Sequence, residues 1–453
     1  MLLRFGVANH RSIRDYQEVF LTASKSIKRS GHTFPVPVLK ESAVPIVAVY
    51  GSNAAGKSNL IDAMDEIQRA IIRSHQHLSA TGTIPRHPFQ LDGASKREPT
   101  RFDCTFTLEE RDVEEQSNAA SDCVYEYGFE YTKSEFKREW LYRMVRRERL
   151  STQKLFERTT ENGEVVVRPG PELRGENSKI ASLTRPNSLF LSAAAQNNHP
   201  TLTKLFHHFS AHWTVVLSEE NMSDFEVATS LTDYEHFEDL LALVRRADLG
   251  ITGVEVEDEP FSEQQLEFAE DIAQAVSKRI DSTSSSESVS DFFRDAFSNR
   301  KRARFKHSAD GGEVVTFGYH MESKGTRTLI SLLIPALEAL SQGSLLAVDE
   351  LDTSLHPDLA LAFISLFTDR DSNPNGAQLL FSTHDVTLLS CDLLGQDEIW
   401  MADKNREGVS KFTPLTDFNL RSRDDIEKAY RNGRLGGVPT IDDFAVDVLN
   451  AAE

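Results

Sequence analysis

The sequence has little cysteine. Its 453 residues include three, Cys104, Cys123 and Cys391, odd in number and far apart. They cannot form a disulfide framework, they show no zinc-type spacing, and they suit a reducing cytoplasm. Long apolar runs are also missing. No stretch approaches the roughly 18 apolar residues that a membrane-spanning helix needs, so no membrane association is expected. The N-terminus, MLLRFGVANHRSIRDYQ, lacks the continuous apolar segment of a secretory signal. A basic excess is absent as well: 50 Lys and Arg stand against 70 Asp and Glu, a net charge of −20. That balance argues against a surface that grips nucleic acid all over. It leaves open a local basic patch, or an acidic face turned to a basic partner. There is no internal repeat and no sustained heptad pattern.

With 39% hydrophobic and 26% charged residues, the composition is that of a globular protein. Leu2 to Ala8 and Gln17 to Leu21 read as short strands. Pro45-Ile-Val-Ala-Val-Tyr50 is an unbroken apolar run, as expected of a strand buried on both faces. Leu60, Ile61, Met64, Ile67, Ile71 and Ile72 then recur at helical spacing over Lys57 to Arg73. From residue 99 the period becomes two: Phe102, Cys104, Phe106 and Leu108 alternate with polar residues, and so do Cys123 to Tyr131. This predicts an antiparallel sheet with one face wet, with Cys104 and Cys123 on its apolar side. A polar, acidic linker, Glu109 to Asp122, joins two of its strands.

Residues 200–300 read as helical and acidic, with amphipathic spacing in Tyr234 to Ala247 and Glu263 to Val276. A serine-rich linker, Ser282 to Ser290, and a basic run, Arg300 to Lys306, follow. The last third returns to α/β order. Thr326 to Leu340 and Pro357 to Phe367 read as helices, Leu345 to Val348 and Gln378 to Phe381 as buried strands.

The chemistry concentrates in two places. Gly51-Ser-Asn-Ala-Ala-Gly-Lys-Ser58 fits G-x-x-x-x-G-K-[ST], with an apolar strand before it and a helix after it. That spacing lets the loop residues Gly51, Asn53, Ala54, Ala55 and Gly56, with Asn59 in the first helical turn, cradle phosphate with backbone N–H groups. The helix N-terminus adds its positive end. Lys57 reaches the β- and γ-phosphates of ATP, and the Ser58 hydroxyl faces Mg²⁺. The second place is Leu345-Leu-Ala-Val-Asp349-Glu350. Asp349 emerges at the end of a buried strand to hold the Mg²⁺ shell, and Glu350 can polarise an attacking water.

From here the residues resemble a known family. Asp349-Glu350-Leu-Asp352-Thr-Ser-Leu-His356-Pro357 looks like the Walker B to D-loop segment of ABC-type ATPases, among them the SMC and overcoming-lysogenization-defect (OLD) groups. The resemblance implies a nucleotide role for Asp352. It also implies that His384, in Leu379-Leu-Phe-Ser-Thr-His384-Asp385, is the switch histidine that senses the γ-phosphate. Ser323 and Gly325, in Glu322-Ser-Lys-Gly-Thr326, resemble a degenerate signature motif, for which a plain helix cap is the alternative. Gln90, in Pro88-Phe-Gln-Leu, is the candidate Q-loop glutamine. In ABC proteins the signature meets the γ-phosphate of the opposite protomer, so the resemblance implies a homo-oligomer closed around ATP.

Asn9-His-Arg-Ser12-Ile, the P-loop, and Tyr430-Arg-Asn-Gly433-Arg434-Leu-Gly436-Gly437-Val438-Pro439 resemble bacterial "AAA family ATPases" of the RloA, abortive-infection type. Members often work beside an effector such as a Toprim-type nuclease in phage defence. No nuclease is expected in this chain, because residues 385–453 contain no D-x-D for Mg²⁺.

The expected fold is thus α/β, an ABC-type P-loop ATPase core with an antiparallel β lobe and a helical insertion. The expected boundaries are 1–75 and 309–453 for the core, 76–199 for the lobe and 200–308 for the insertion. The expected function is a slow regulatory ATPase of phage defence that acts with a separate effector. A DNA-repair ATPase acting directly on DNA is the alternative, and a nucleotide-gated scaffold a third reading. Lys137 to Arg149 and Arg300 to Lys306 are the candidate basic patches for DNA, a phage protein or another acidic partner.

Overall fold

The computed structural model describes residues 1–24, 32–79, 81–108, 123–146, 148–217, 222–232, 234–247, 249–259, 300–390, 393–418, 420 and 426–436. The expected linker 109–122, the expected helix 263–276, the serine-rich stretch 282–290, Arg147, Cys391 and Gly437 to Pro439 lie outside the described residues. The chain divides into two compact units, Met1–Ser218 with Glu338–Glu453, and Glu219–Leu337.

The first unit is built on two sheets. One has six strands in the order Trp213–Val216, Leu345–Val348, Gln378–Thr383, Ile46–Tyr50, Ile399–Lys404, Ser410–Pro414. All neighbours run parallel except the last pair, a hairpin. Ile46–Tyr50, Leu345–Val348 and Gln378–Thr383 are buried at every position, the reason their sequences carry no alternation. The P-loop strand Ile46–Tyr50 lies in the middle of this sheet. Both of its neighbours come from the far end of the chain.

The other sheet is antiparallel, in the order Glu164–Pro169, Leu150–Glu161, Phe136–Arg146, Cys123–Tyr131, Thr100–Leu108, Leu2–Ala8, Gln17–Phe20. It therefore takes two strands from the segment expected to belong to the core alone. Cys104 and Cys123 are buried. The expected wet face is partly covered. Asp103 is fully buried on it, because Arg4, Arg101 and the Tyr16 hydroxyl neutralise it at 2.6, 2.8 and 3.0 Å.

The helix Lys57–Arg73 places Leu60, Ile61, Met64, Ile67 and Ile71 in a core shared with both sheets. Each such buried aliphatic side chain contributes about 1.5–3 kcal/mol. Gln378, almost wholly buried, joins the two sheets. It accepts from Leu2 N at 2.6 Å and donates to Leu2 O and Val44 O at 2.9 and 3.0 Å.

Two expectations about the insertion need correction. Residues 202–216 belong to the first unit: a helix, Leu202–Ala211, leads into the strand Trp213–Val216, which pairs with Leu345–Val348. The second unit is also not purely helical. Beside the helices Asp224–Leu231 and Phe237–Arg246 it holds an antiparallel sheet, Ile251–Glu259, Arg300–Ser308, Val314–Gly318. The basic run is the middle strand of that sheet. Arg300, Lys301, Arg302 and Arg304 stand opposite Glu259, Asp258, Glu257 and Glu255. Arg304 pairs with Glu257 at 3.4 Å and Lys306 with Glu255. Opposite charges across a strand pair attract, and the acidic strand lies against this basic run.

Among the described residues no helix is long and apolar enough to cross a membrane.

Candidate functional site

The loop from Gly51 to Ser58 leaves the central parallel strand and enters the helix Lys57–Arg73. Two glycines are required by shape. A Cβ on Gly51 would lie 2.5 Å from Ala402 O of the neighbouring strand. Gly56 has φ +105°, and a Cβ there would run into the Ser410 hydroxyl. Lys57 is buried. Its Nζ donates to Gly51 O at 2.8 Å and to Ser52 O at 3.1 Å, so the ammonium is held inside its own loop. Burial lowers its pKa, and the nearby Glu350, Asp349 and Asp352 oppose that shift.

The loop opens on a cavity of about 370 Å³, lined by Asn53, Ala54, Gly56, Lys57, Ser58, Asn59, Glu350, His384 and Lys404. Five of the expected P-loop positions in 51–59 and both expected catalytic residues thus share one space with Ser58. Gly51 and Ala55 do not line it. Ala55 is buried and its carbonyl accepts from Ser410 Oγ at 2.6 Å, while Gly51 contributes the carbonyl that holds Lys57.

Ser382, on the strand beside Leu345–Val348, organises the acidic pair. Its hydroxyl donates to Asp349 Oδ1 at 2.5 Å and accepts from Glu350 N at 2.8 Å. Glu350 has φ +53°, a conformation that non-glycine residues rarely adopt. Such strain persists where the surroundings impose it, and here it turns Glu350 toward the cavity while Asp349 stays buried behind it. Thr353 Oγ1 donates to Glu350 Oε2 at 3.2 Å.

His384 is half exposed, and its Nδ1 lies 3.1 Å from Asp352 Oδ2. With Nδ1–H donated to the carboxylate, Nε2 is the nitrogen left to accept or donate in the cavity. Asp352 does not line the cavity. It orients His384 from behind, and its buried Oδ1 has no partner.

The donor set fits Mg²⁺ bound with a nucleotide. Among the described residues no group of three His, Cys, Asp or Glu could hold a metal alone. Ser58 and Asp349 offer one hydroxyl and one carboxylate, the partial shell that Mg²⁺ completes with phosphate oxygens and water.

The remaining candidates lie elsewhere. Gln90 is exposed, does not line the cavity, and donates to Pro88 O at 3.0 Å. Ser323 and Gly325 stand at the start of the helix Lys324–Gln342 in the second unit. Ser323 Oγ accepts from Thr326 N at 3.1 Å and meets Thr326 Oγ1 at 2.8 Å, the geometry of a helix cap. In the β lobe cluster, Arg138 meets Glu130 at 3.9 Å, Arg143 bonds Gln153, and Arg146 donates to Val38 O at 2.5 Å.

Sequence reading missed Lys404, and missed how Asn9 to Ser12 acts. His10 and Arg11 hold Asp62 of the P-loop helix at 2.7 and 2.6 Å. Ser12 Oγ accepts from Asn59 at 2.5 Å and meets Ser410 Oγ at 2.7 Å.

The model of a family described as "AAA domain, putative AbiEii toxin, Type IV TA system" matches residues 46–390. Two solved structures are similar to this chain. One is described as the SmcHead bound to the C-winged helix domain of ScpA, with 13% identity and a TM-score of 0.39 over 95% of this chain and 99% of that one. The other is an Smc head domain with an extended coiled coil bound to the C-terminal domain of ScpA, derived from Pyrococcus furiosus. It has 13% identity and a TM-score of 0.38 over 96% of this chain and 98% of that one. No curated protein matches.

Proposed function

This chain belongs to that AAA-domain family, and from that premise we propose that it binds and hydrolyses ATP as a regulatory ATPase of bacterial phage defence, acting on a separate effector protein. The observation that carries the ATPase reading is the convergence of Lys57, Ser58, Glu350 and His384 on one cavity. Lys57 exchanges its two loop carbonyls for the β- and γ-phosphates. Ser58 and Asp349 would hold Mg²⁺, which would neutralise charge on the phosphates. Glu350 accepts a proton from the attacking water as general base. His384 Nε2, aimed by Asp352, contacts the γ-phosphate. The defence role rests on the family description and on the resemblance of both ends of the chain to abortive-infection ATPases. The DNA-acting alternative loses support, because Arg300 to Lys306 is matched by acidic residues.

The ATP-bound form, in this reading, is a homo-oligomer in which Ser323 and Gly325 of one copy complete the site of another. Solution mass of the wild type and of Glu350→Gln, with and without Mg-ATP, tests this. Glu350→Gln is expected to bind ATP, to lose turnover by about 10²–10⁴-fold, and to accumulate as the larger species. Lys57→Ala is expected to bind no nucleotide and to keep one mass throughout. Wild-type turnover in Glu350→Gln would remove Glu350 as the base. Normal nucleotide affinity in Lys57→Ala would remove the P-loop assignment.

A further inference from the structure

Lys404 is the one lining residue of the cavity that no motif accounts for. It ends the strand Ile399–Lys404, and its side chain has no hydrogen bond or ion pair to any described residue. A cation at a strand end is usually solvated and idle. This one differs in how its backbone is fixed.

The hairpin that carries it is docked on the P-loop at two points. At the first, Ala402 O packs against Gly51, so closely that no side chain fits there. At the second, Ser410 stands directly opposite Lys404 in the antiparallel register. Opposite residues in such a pair project to the same face. Ser410 is fully buried, donates to Ala55 O at 2.6 Å, and fills the space that a side chain on Gly56 would need. Ser410 N also donates to Ser12 O at 2.8 Å, and the two hydroxyls meet at 2.7 Å. One face of the hairpin therefore braces the loop from behind with Ser410 and brings Lys404 to the cavity beside Asn53 and Ala54.

We infer that Lys404 is a second cation for the polyphosphate of ATP, held in place by the hairpin that braces the P-loop. The inference rests on the ATP-binding reading of the cavity. The two lysines divide the work by position. Lys57 comes from inside the loop and must leave two carbonyls, whereas Lys404 approaches from outside it and has no partner to give up. A bond between a cation and phosphate oxygen is of the charge-assisted kind, so its loss weakens binding by about 10–100-fold.

The test is an equilibrium titration of the purified full-length protein with Mg-ATP, alongside steady-state kinetics and the melting temperature without nucleotide. Lys404→Met is expected to weaken ATP binding and raise KM by about 10–100-fold, with kcat within about threefold and an unchanged nucleotide-free melting temperature. Lys404→Arg is expected to restore affinity to within a few-fold of the wild type, because the charge returns. Lys404→Gln gives the same reading if the methionine variant does not fold. Wild-type affinity in Lys404→Met, with none in Lys57→Ala, overturns this inference and leaves the P-loop reading standing. Wild-type affinity in both variants overturns the P-loop reading and this inference with it.

Discussion

Glu66 shows how a single side chain can make stability depend on pH. It lies on the P-loop helix and faces a cavity of about 260 Å³ walled in part by Ile84, Pro85, Tyr131 and Phe136. Its carboxyl has no hydrogen bond or ion pair to a described residue. Burial, then the charges of Asp62 and Asp65, push its pKa up to about 7 from an ordinary 4.5. A carboxyl raised in the folded state binds more protons folded than unfolded. Stability therefore falls as pH rises from about 4.5 to 7, and the full penalty is present above that. Glu66→Gln removes the penalty. It is expected to raise stability at pH 8 by about 1–2 kcal/mol after solvent screening, and to have no effect at pH 4, as read from melting curves at the two values. Nothing in the sequence marks Glu66, an acidic residue among others on an amphipathic helix. Lys57, Asp349, Glu350 and His384 were legible because fixed spacings tie each to a strand end. Lys404 and Ser410 were not, because their role arises from a strand pairing between distant segments that spacing does not encode.

Elements were legible where one kind of burial governs a whole segment. The apolar runs Ile46–Tyr50, Leu345–Val348 and Leu379 to Phe381 announce strands covered on both faces, and the structure buries every residue of the strands that hold them. Trp213–Val216 was hidden because a short strand after an amphipathic helix reads as part of that helical region. The Ile251–Glu259 strand was hidden because its acidic residues look like a solvated face until the basic strand is set opposite. Gln378 is the sharpest case. A glutamine inside an apolar strand looks out of place, yet it satisfies three backbone groups and ties the antiparallel sheet to the parallel one. Gln378→Leu fits the volume but strands Leu2 N, Leu2 O and Val44 O in a dry interior. The expected cost is about 2–5 kcal/mol, seen as a lower melting temperature. An unchanged melting temperature in the leucine variant would mean that water reaches those groups.

The architecture of the first unit also sets when it can form. The strand Ile46–Tyr50 is bordered by Gln378–Thr383 on one side and Ile399–Lys404 on the other. During synthesis it emerges early and then waits for partners made more than 300 residues later. At about 5–20 residues per second, that is a delay of roughly 20–70 s. In that time a strand with no charged residue has both of its edges open on the ribosome, a condition that favours aggregation. Nascent chains arrested at residue 390 are expected to leave Ile46–Tyr50 open to protease, and chains arrested well beyond residue 414 to protect it. Protection at the earlier point would show that the strand finds a temporary partner. The nucleotide site is thus assembled long after its first part is made: Lys57 is translated more than 300 residues before the hairpin that completes the wall it faces. A chain that still lacks the hairpin from Ile399 to Pro414 has no assembled pocket with which to bind ATP, so binding can begin only once that hairpin has been made and has docked on the loop.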